Sequence, residues 1–241
     1  MNPIRKTGSR KVFARGKESI LMHWFNVVCW FVLTFSGLGI IRGDLRFMPK
    51  GYAEWMQNAV GGQFVLIVGH SLLGLLWAGA FVVFTAMNWN RVVVPFLREV
   101  LSITPRAVLR DLREMVIIIA RLFGLMRNAH VPPAVRYNGA QRLLGTMILL
   151  SAAAIAFTGT VMFYLFLFTP VFVSGIVFRW SLLVHAFFVG FVYIGLMAHL
   201  YYSLIEDPGS LDAMLSGYLD VEYIRHHNPG WYAELKEQGK I

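Results

Sequence analysis

The sequence predicts an all-α membrane protein, a bundle of four transmembrane helices with both termini on the cytoplasmic side. Three observations carry that reading. The 241 residues are 57% hydrophobic and only 15% charged, with a mean hydropathy of +0.58, a balance unsuited to a water-soluble domain of this size. Four stretches, 20–41, 64–87, 143–168 and 180–205, contain no Asp, Glu, Lys or Arg, and each reaches the ~20 residues that carry a helix across a bilayer. Such spans are helical, because hydrocarbon offers no partner to an open strand edge. Finally, eighteen Lys and Arg fall in the two tails and the middle loop, against four (Arg42, Arg46, Lys50 and Arg179) in the other two connections. By the positive-inside rule the tails and the middle loop face the cytoplasm. Orientation thus accounts for the net charge of +9 without a nucleic-acid partner.

Residues 1–19 form a basic N-terminal tail. The first span is long and is followed by no small-residue cleavage site, so it reads as an uncleaved signal anchor. Cys29, the single cysteine, lies in mid-span, which excludes an intrachain disulfide and cysteine-held cofactors and leaves a packing role. After the second span comes a cytoplasmic loop, 88–142. Thr104 and Pro105 are placed as cap and first-turn residues of a helix running towards Met126. In that helix Arg106, Arg110 and Arg113 recur at helical spacing against Leu109, Leu112 and Met115, the pattern of a surface helix with its basic face at the headgroups. A fifth span is excluded, because the apolar run Met115–Ala120 is bracketed by Arg113, Glu114, Arg121 and Arg127. Pro132 and Pro133 break the chain before span three. Asn138 with Gln141 three later suits the N-cap of that span, and Thr169-Pro170 ends it and opens a short outer connection. The domain plan is therefore a tail 1–19, a membrane domain 20–205, and a cytoplasmic tail 206–241 of mixed charge.

Four of the seven histidines, His23, His70, His185 and His199, fall inside spans, where an ionisable side chain is costly and faces a protein interior. His185 and His199 are fourteen residues apart, within about 40° of a whole number of helical turns, so they share a face ~21 Å apart along the axis. One metal cannot bridge that distance. Counting from the span ends places His23 and His199 ~5 and ~9 Å below the inner surface, and His70 and His185 ~8 to 9 Å below the outer one. Two depth-matched bis-histidine pairs are what two b haems require in a helical bundle. Gly69 and Gly74 near His70, with Gly37, Gly39, Gly190 and Gly195 elsewhere on the ligand helices, leave space for a flat macrocycle or for close helix packing. Zinc is disfavoured by the absence of a His-Glu-x-x-His helix and of any acid within a span. His130, His226 and His227 lie in cytoplasmic segments as surface residues. The competing reading is a small membrane transporter or structural protein in which the histidines only pack or relay protons.

Several motifs run along most of the chain: Met22-His23-Trp24, His70-Ser71-Leu72-Leu73-Gly74, and Arg179-Trp180-Ser181-Leu182-Leu183-Val184-His185-Ala186 with His199 beyond it. To these the tail adds Arg225-His226-His227-Asn228-Pro229-Gly230-Trp231-Tyr232. Together they resemble the b-type cytochrome, or gamma, subunit of respiratory formate dehydrogenases. The tail distinguishes it from the cytochrome b subunits of hydrogenases and other molybdoenzymes, which share the bundle and remain the alternative. The resemblance implies two haem b groups, with His23 and His199 as axial ligands of the inner iron and His70 and His185 of the outer one. It further implies an iron-sulfur (beta) subunit and a molybdenum or tungsten catalytic (alpha) subunit on the outer face, and electron delivery to menaquinone or ubiquinone near the cytoplasmic side of the bacterial inner membrane.

Tyr137-Asn138-Gly139-Ala140-Gln141 is similar to the family's quinone element, Tyr-Asn-Ala-Gly-Gln, with Ala and Gly exchanged. It implies a quinone site at Asn138, Gly139, Gln141 and His199. The chain carries no residues for formate oxidation itself. On this resemblance it is the anchor, wire and quinone-reducing subunit of an oxidoreductase complex.

Overall fold

The computed structural model describes residues 10–41, 48–101, 103–126, 135–169 and 171–241. Arg42, Arg46, Arg127, His130, Pro132, Pro133 and Pro170 lie outside the described residues. The elements run β1 (Lys11–Phe13), α1 (Lys17–Ile40), α2 (Tyr52–Val60), α3 (Gln63–Asn88), α4 (Val94–Val100), α5 (Pro105–Leu122), α6 (Gly139–Phe168), α7 (Val171–Tyr201), α8 (Leu211–Leu215), β2 (Tyr218–Asp220), α9 (Val221–His227) and α10 (Pro229–Glu237). Four helices are long and apolar enough to cross a membrane: Lys17–Ile40, Gln63–Val100, Gly139–Phe168 and Gly175–Glu206. The protein is an all-α membrane protein with the four expected spans.

All four helices are longer than their charge-free runs, the second and fourth by the most. The second continues past Met87 through a π-helical turn at Trp89–Val93 into α4, and Arg91 on that turn is ion-paired with Glu18 at the start of α1. Charge ends the hydrocarbon-facing part of a helix, not the helix, since a paired or snorkelling side chain is tolerated at the interface. The fourth begins at Val171, which shortens the outer connection expected after Thr169 and puts Arg179 inside α7. In the first outer connection α2 was not anticipated. It starts after Gly51, whose φ of 75° lies in the left-handed region that glycine adopts without penalty.

The described residues pack as two compact units: one from 10–20, 89–101, 103–126, 135–150 and 191–241, the other from 21–41, 48–88, 151–169 and 171–190. In the second unit, segments of α1, α3, α6 and α7 form the four-helix part. Trp77 Nε1 donates to Asn26 Oδ1 at 2.7 Å, satisfying the polar side chain in mid-span, and Trp77 also meets Trp30 edge-on at 5.4 Å. Phe64 lies against Phe166 at 5.8 Å. Cys29 is buried, as a packing residue should be. α2 is tied to α1 by Gln57 Nε2 donating to the Gly39 carbonyl at 2.9 Å, and a Cβ at Gly39 would come within 2.6 Å of Met56.

In the first unit β1 pairs antiparallel with β2, Val12 opposite Leu219. The two tails therefore meet on one side of the membrane, as an even number of spans requires. Gly217, at φ +83° with its Cβ position 2.7 Å from the Arg15 carbonyl, lets that strand turn against the N-terminal segment. Ala213, Leu219, Ile224, Trp231 and Leu235 form a core beneath the sheet. The tail after residue 206 is thus a small folded module. Tyr223, inside it, donates its hydroxyl to Asp207 at 2.6 Å.

Thr104 caps α5 as expected, its hydroxyl accepting from Ala107 N at 3.2 Å. Besides the exposed basic face expected of it, α5 buries two acids that the sequence did not single out. Arg106, Arg110 and Arg113 are exposed, as are Leu109 and Leu112, while Asp111 (0% exposed) and Glu114 (7%) turn inward. They do so because Arg142, at the start of α6, receives them. Arg142 Nε donates to Asp111 Oδ2 at 3.0 Å and its Nη2 to Asp111 Oδ1, with Glu114 3.7 Å from the same guanidinium. A bidentate fork is the geometry that holds a buried carboxylate best.

Candidate functional site

His70 and His185, expected as the outer pair, both lie within the second unit. His70 is on α3 and His185 on α7, both half-buried. Each has the same surroundings. Ser36 Oγ of α1 lies 2.9 Å from His70 Nδ1, and Thr158 Oγ1 of α6 lies 3.0 Å from His185 Nδ1. Each hydroxyl residue is followed by a glycine that faces the same ring. A Cβ on Gly37 would sit 3.2 Å from His70 Cε1, and one on Gly159 3.3 Å from His185 Cε1. Either distance is tighter than ordinary van der Waals contact, so each ring has settled where only glycine leaves room.

The two remaining histidines fall in different units. His23 is on α1, with Trp24 edge-on at 5.5 Å, in the second unit. His199 is near the end of α7 in the first. Beside it in sequence, Gly195 is where α7 closes on α6: a Cβ there would meet Met147 at 2.8 Å and Ile148 at 3.1 Å. The glycines on the ligand helices therefore divide. Gly37 serves a histidine and Gly39 and Gly195 serve helix packing, while Gly69 and Gly190 have nothing within 4 Å of a built Cβ.

The segment ahead of α6 is held from several directions. Asn138 N donates to Gln141 Oε1 at 3.0 Å and Gln141 N to Asn138 Oδ1 at 2.9 Å, the reciprocal capping box expected from their spacing. Gly139 is buried, and a Cβ there would be 2.9 Å from Asp111 Cα and 2.7 Å from Glu114 Oε2. That explains why glycine, and not alanine, occupies the first position after Asn138. The Tyr137 hydroxyl accepts from Arg15, and the Tyr137 carbonyl accepts from Arg142 Nη1 at 3.1 Å. Arg136 stacks over the Trp231 ring at 4.8 Å while its carbonyl accepts from Asn228 Nδ2 at 3.3 Å.

The histidine-rich tail is therefore a clamp on the segment at Arg136. His226 and His227 serve α9 locally, the first bonded to Glu222 at 2.8 Å and the second stacked on Tyr223 at 4.4 Å. Among the described residues no three His, Cys, Asp or Glu side chains converge as a metal cluster.

Sequence reasoning singled out Gly37 but missed Ser36, Thr158 and Gly159. The available signal was the dipeptide itself: a hydroxyl residue followed by glycine inside an otherwise apolar span occurs as Ser36-Gly37 in span one and Thr158-Gly159 in span three.

Comparison with known proteins shows the family. The chain is 23% identical over 235 residues, 97% of its length and 87% of the relative's, to the formate dehydrogenase cytochrome b556 subunit of Haemophilus influenzae. It is 25% identical over 217 residues (89% and 87%) to the nitrate-inducible formate dehydrogenase cytochrome b556(Fdn) subunit of Escherichia coli. To the cytochrome b556(fdo) subunit of that organism it is 20% identical over 215 residues, 89% of each chain. The family model described as prokaryotic cytochrome b561 matches residues 15–217, all four spans included, and the chain belongs to that family of haem-binding membrane cytochromes.

Proposed function

We propose that this chain is the dihaem cytochrome b membrane subunit of a formate dehydrogenase complex in the bacterial inner membrane. In that role it carries electrons from an outer-face iron-sulfur subunit, served by a molybdenum or tungsten catalytic subunit, to menaquinone or ubiquinone near the cytoplasmic face. The observation that carries the reading is the matched pair His70 and His185, two half-buried imidazoles on helices of the same unit. Each has Nδ1 engaged by a hydroxyl on a neighbouring helix. Two neutral imidazoles with one nitrogen left for a metal are the donor set of a bis-histidine haem, so the residues fit the group. His23 and His199 hold the inner haem, on the strength of their matching depth and the family resemblance. When bound, each haem supplies a ferric/ferrous couple that takes up one electron at a time.

The chain's own residues set the conditions around those groups. Apolar helix faces keep water from the imidazoles. The buried ion pair Asp111–Arg142, the Asn138–Gln141 box and the tail clamp hold 136–141 in one conformation. Asn138, Gly139 and Gln141 with His199 form the quinone site. Its protons come from cytoplasmic water, and the basic tails and middle loop define that side. Electron entry from outside with proton uptake from inside works against a membrane field worth ~2.3 kcal/mol per charge per 100 mV.

The test is to capture the tagged chain from mildly solubilised membranes. Co-purification of an iron-sulfur subunit and a molybdenum- or tungsten-containing subunit, with formate-dependent quinone reduction that Asn138→Ala weakens, is the expected result. A nickel-containing partner that oxidises hydrogen would overturn the assignment to formate.

A further inference from the structure

The structure assigns Ser36 and Thr158 a role that follows from where their protons go. We infer that these two hydroxyls are positioning residues that fix the tautomer and ring orientation of His70 and His185, leaving Nε2 of each ring as the metal-binding nitrogen. The inference rests on the haem reading above and specifies how the outer site is built.

A hydroxyl has one proton to give and lone pairs to receive with. Ser36 Oγ is 2.7 Å from the Val32 carbonyl and 3.3 Å from that of Leu33. Thr158 Oγ1 is 2.7 Å from the Ala154 carbonyl and 3.3 Å from that of Ile155. In both, the single proton is committed to the residue's own helix, the back-bonding that Ser and Thr adopt in apolar helices. What faces the imidazole is therefore an acceptor. At 2.9 and 3.0 Å from Nδ1, it requires Nδ1 to carry the ring proton and donate.

A neutral imidazole with Nδ1 protonated has its lone pair on Nε2, and that lone pair is what iron needs. The reverse tautomer would set lone pair against lone pair at Nδ1 and a proton where the metal belongs. Burial sharpens the preference: Ser36 is 9% and Thr158 6% exposed, so water offers neither hydroxyl an alternative partner.

The second half of the device is the glycine after each hydroxyl. Gly37 and Gly159 face Cε1, the carbon between the two nitrogens, at distances that would crowd any Cβ. Each ring edge is thus seated on a hydroxyl–glycine step, once from α1 onto α3 and once from α6 onto α7. Two unrelated stretches of sequence making the same contact with the same two ring atoms is the mark of one requirement met twice. Donation from Nδ1 also makes the imidazole a stronger base towards the metal, favouring the ferric form. Losing the hydroxyl acceptor should therefore raise the potential of the haem it serves.

The experiment is a spectroelectrochemical titration of the purified complex, with EPR of the oxidised state, on the native protein and on Ser36→Ala, Thr158→Val, Ser36→Thr and Thr158→Ser. Native protein should show two waves. Ser36→Ala and Thr158→Val should each move the same single wave upward, alter the corresponding low-spin g values and weaken retention of that haem by about 10- to 100-fold. The other wave should stay in place as an internal control. Ser36→Thr and Thr158→Ser, which keep an acceptor, should restore the native wave.

Two unshifted waves in Ser36→Ala and Thr158→Val would overturn the positioning role while leaving the dihaem reading intact. Equal loss of both haems that Ser36→Thr and Thr158→Ser do not rescue would assign the hydroxyls to folding alone and overturn it as well. Fewer than two haems in the native protein would instead sink the reading beneath it.

Discussion

Replacing Arg142 with methionine should destabilise the protein by about 3 kcal/mol. Asp111 is completely buried and receives two hydrogen bonds from the Arg142 guanidinium, whose side chain is 21% exposed. Removing one partner of a buried pair costs about 3–5 kcal/mol, mostly because the remaining charge is left uncompensated. Here the lower end applies, because Arg110 Nε still reaches Asp111 Oδ1 at 2.9 Å, although the Arg110 side chain is 61% exposed and holds the carboxylate less firmly. Glu114, 7% exposed, loses its ion pair too.

Scaled by the unfolding entropy of a chain of this length, the loss corresponds to a melting temperature lower by roughly 6–12 °C. It can be followed by tryptophan fluorescence in detergent and checked by an SDS unfolding titration. The double variant Asp111→Asn, Arg142→Met removes both charges and should recover part of the loss, a coupling of about 1–3 kcal/mol. A single-variant loss below about 1 kcal/mol, or strictly additive effects in the double variant, would refute the claim that Arg142 compensates a buried charge.

Three further outcomes follow from the same structure. Gly139→Val should cost about 1–3 kcal/mol through overpacking and reduce formate-dependent quinone reduction, because its side chain meets the α5 backbone at Asp111; a fully active, equally stable variant would contradict that packing. Trp231→Ala should cost about 3–5 kcal/mol and expose Arg136 to trypsin, as it empties the tail core and removes the ring beneath that guanidinium; unchanged proteolysis would show that the tail does not clamp the segment. Tyr223 should make the tail module sensitive to alkali. Burial, then the hydrogen bond to Asp207 and the nearby carboxylates, push its hydroxyl pKa well above the usual tyrosine value. The stability linked to this group is complete below the unfolded tyrosine pKa of about 10 and is lost as pH rises above it. Tyr223→Phe should abolish that alkaline slope, which amide exchange in residues 211–237 can follow between about pH 9 and 11.

The spans were legible because hydrocarbon permits few solutions: an uncharged run of some twenty residues has to be a helix. Their ends were less so. Arg91 and Arg179 look like boundaries in a string of letters, yet the second spanning helix continues past α3 through the π-helical turn that holds Arg91, and α7 begins well before Arg179, since an interfacial arginine ends the apolar environment and not the hydrogen-bonded helix. The caps at Thr104 and Asn138 are local and were readable from spacing. The inward turn of Asp111 and Glu114 was not, because it depends on Arg142, some thirty residues away. At the site, the four histidines stood out by their cost in a membrane. The hydroxyl–glycine steps that seat two of them did not, since serine, threonine and glycine are ordinary in apolar helices and gain meaning only from the ring they face.

Quantifying haem by the pyridine haemochrome assay in the purified complex, native and with His70→Ala or His199→Ala, tests the central claim most directly. The account predicts two b haems per chain in the native protein and one in each variant, His70→Ala losing the haem whose potential responds to Ser36→Ala and His199→Ala losing the other. A colourless native protein, a single haem, or variants that keep both would contradict it.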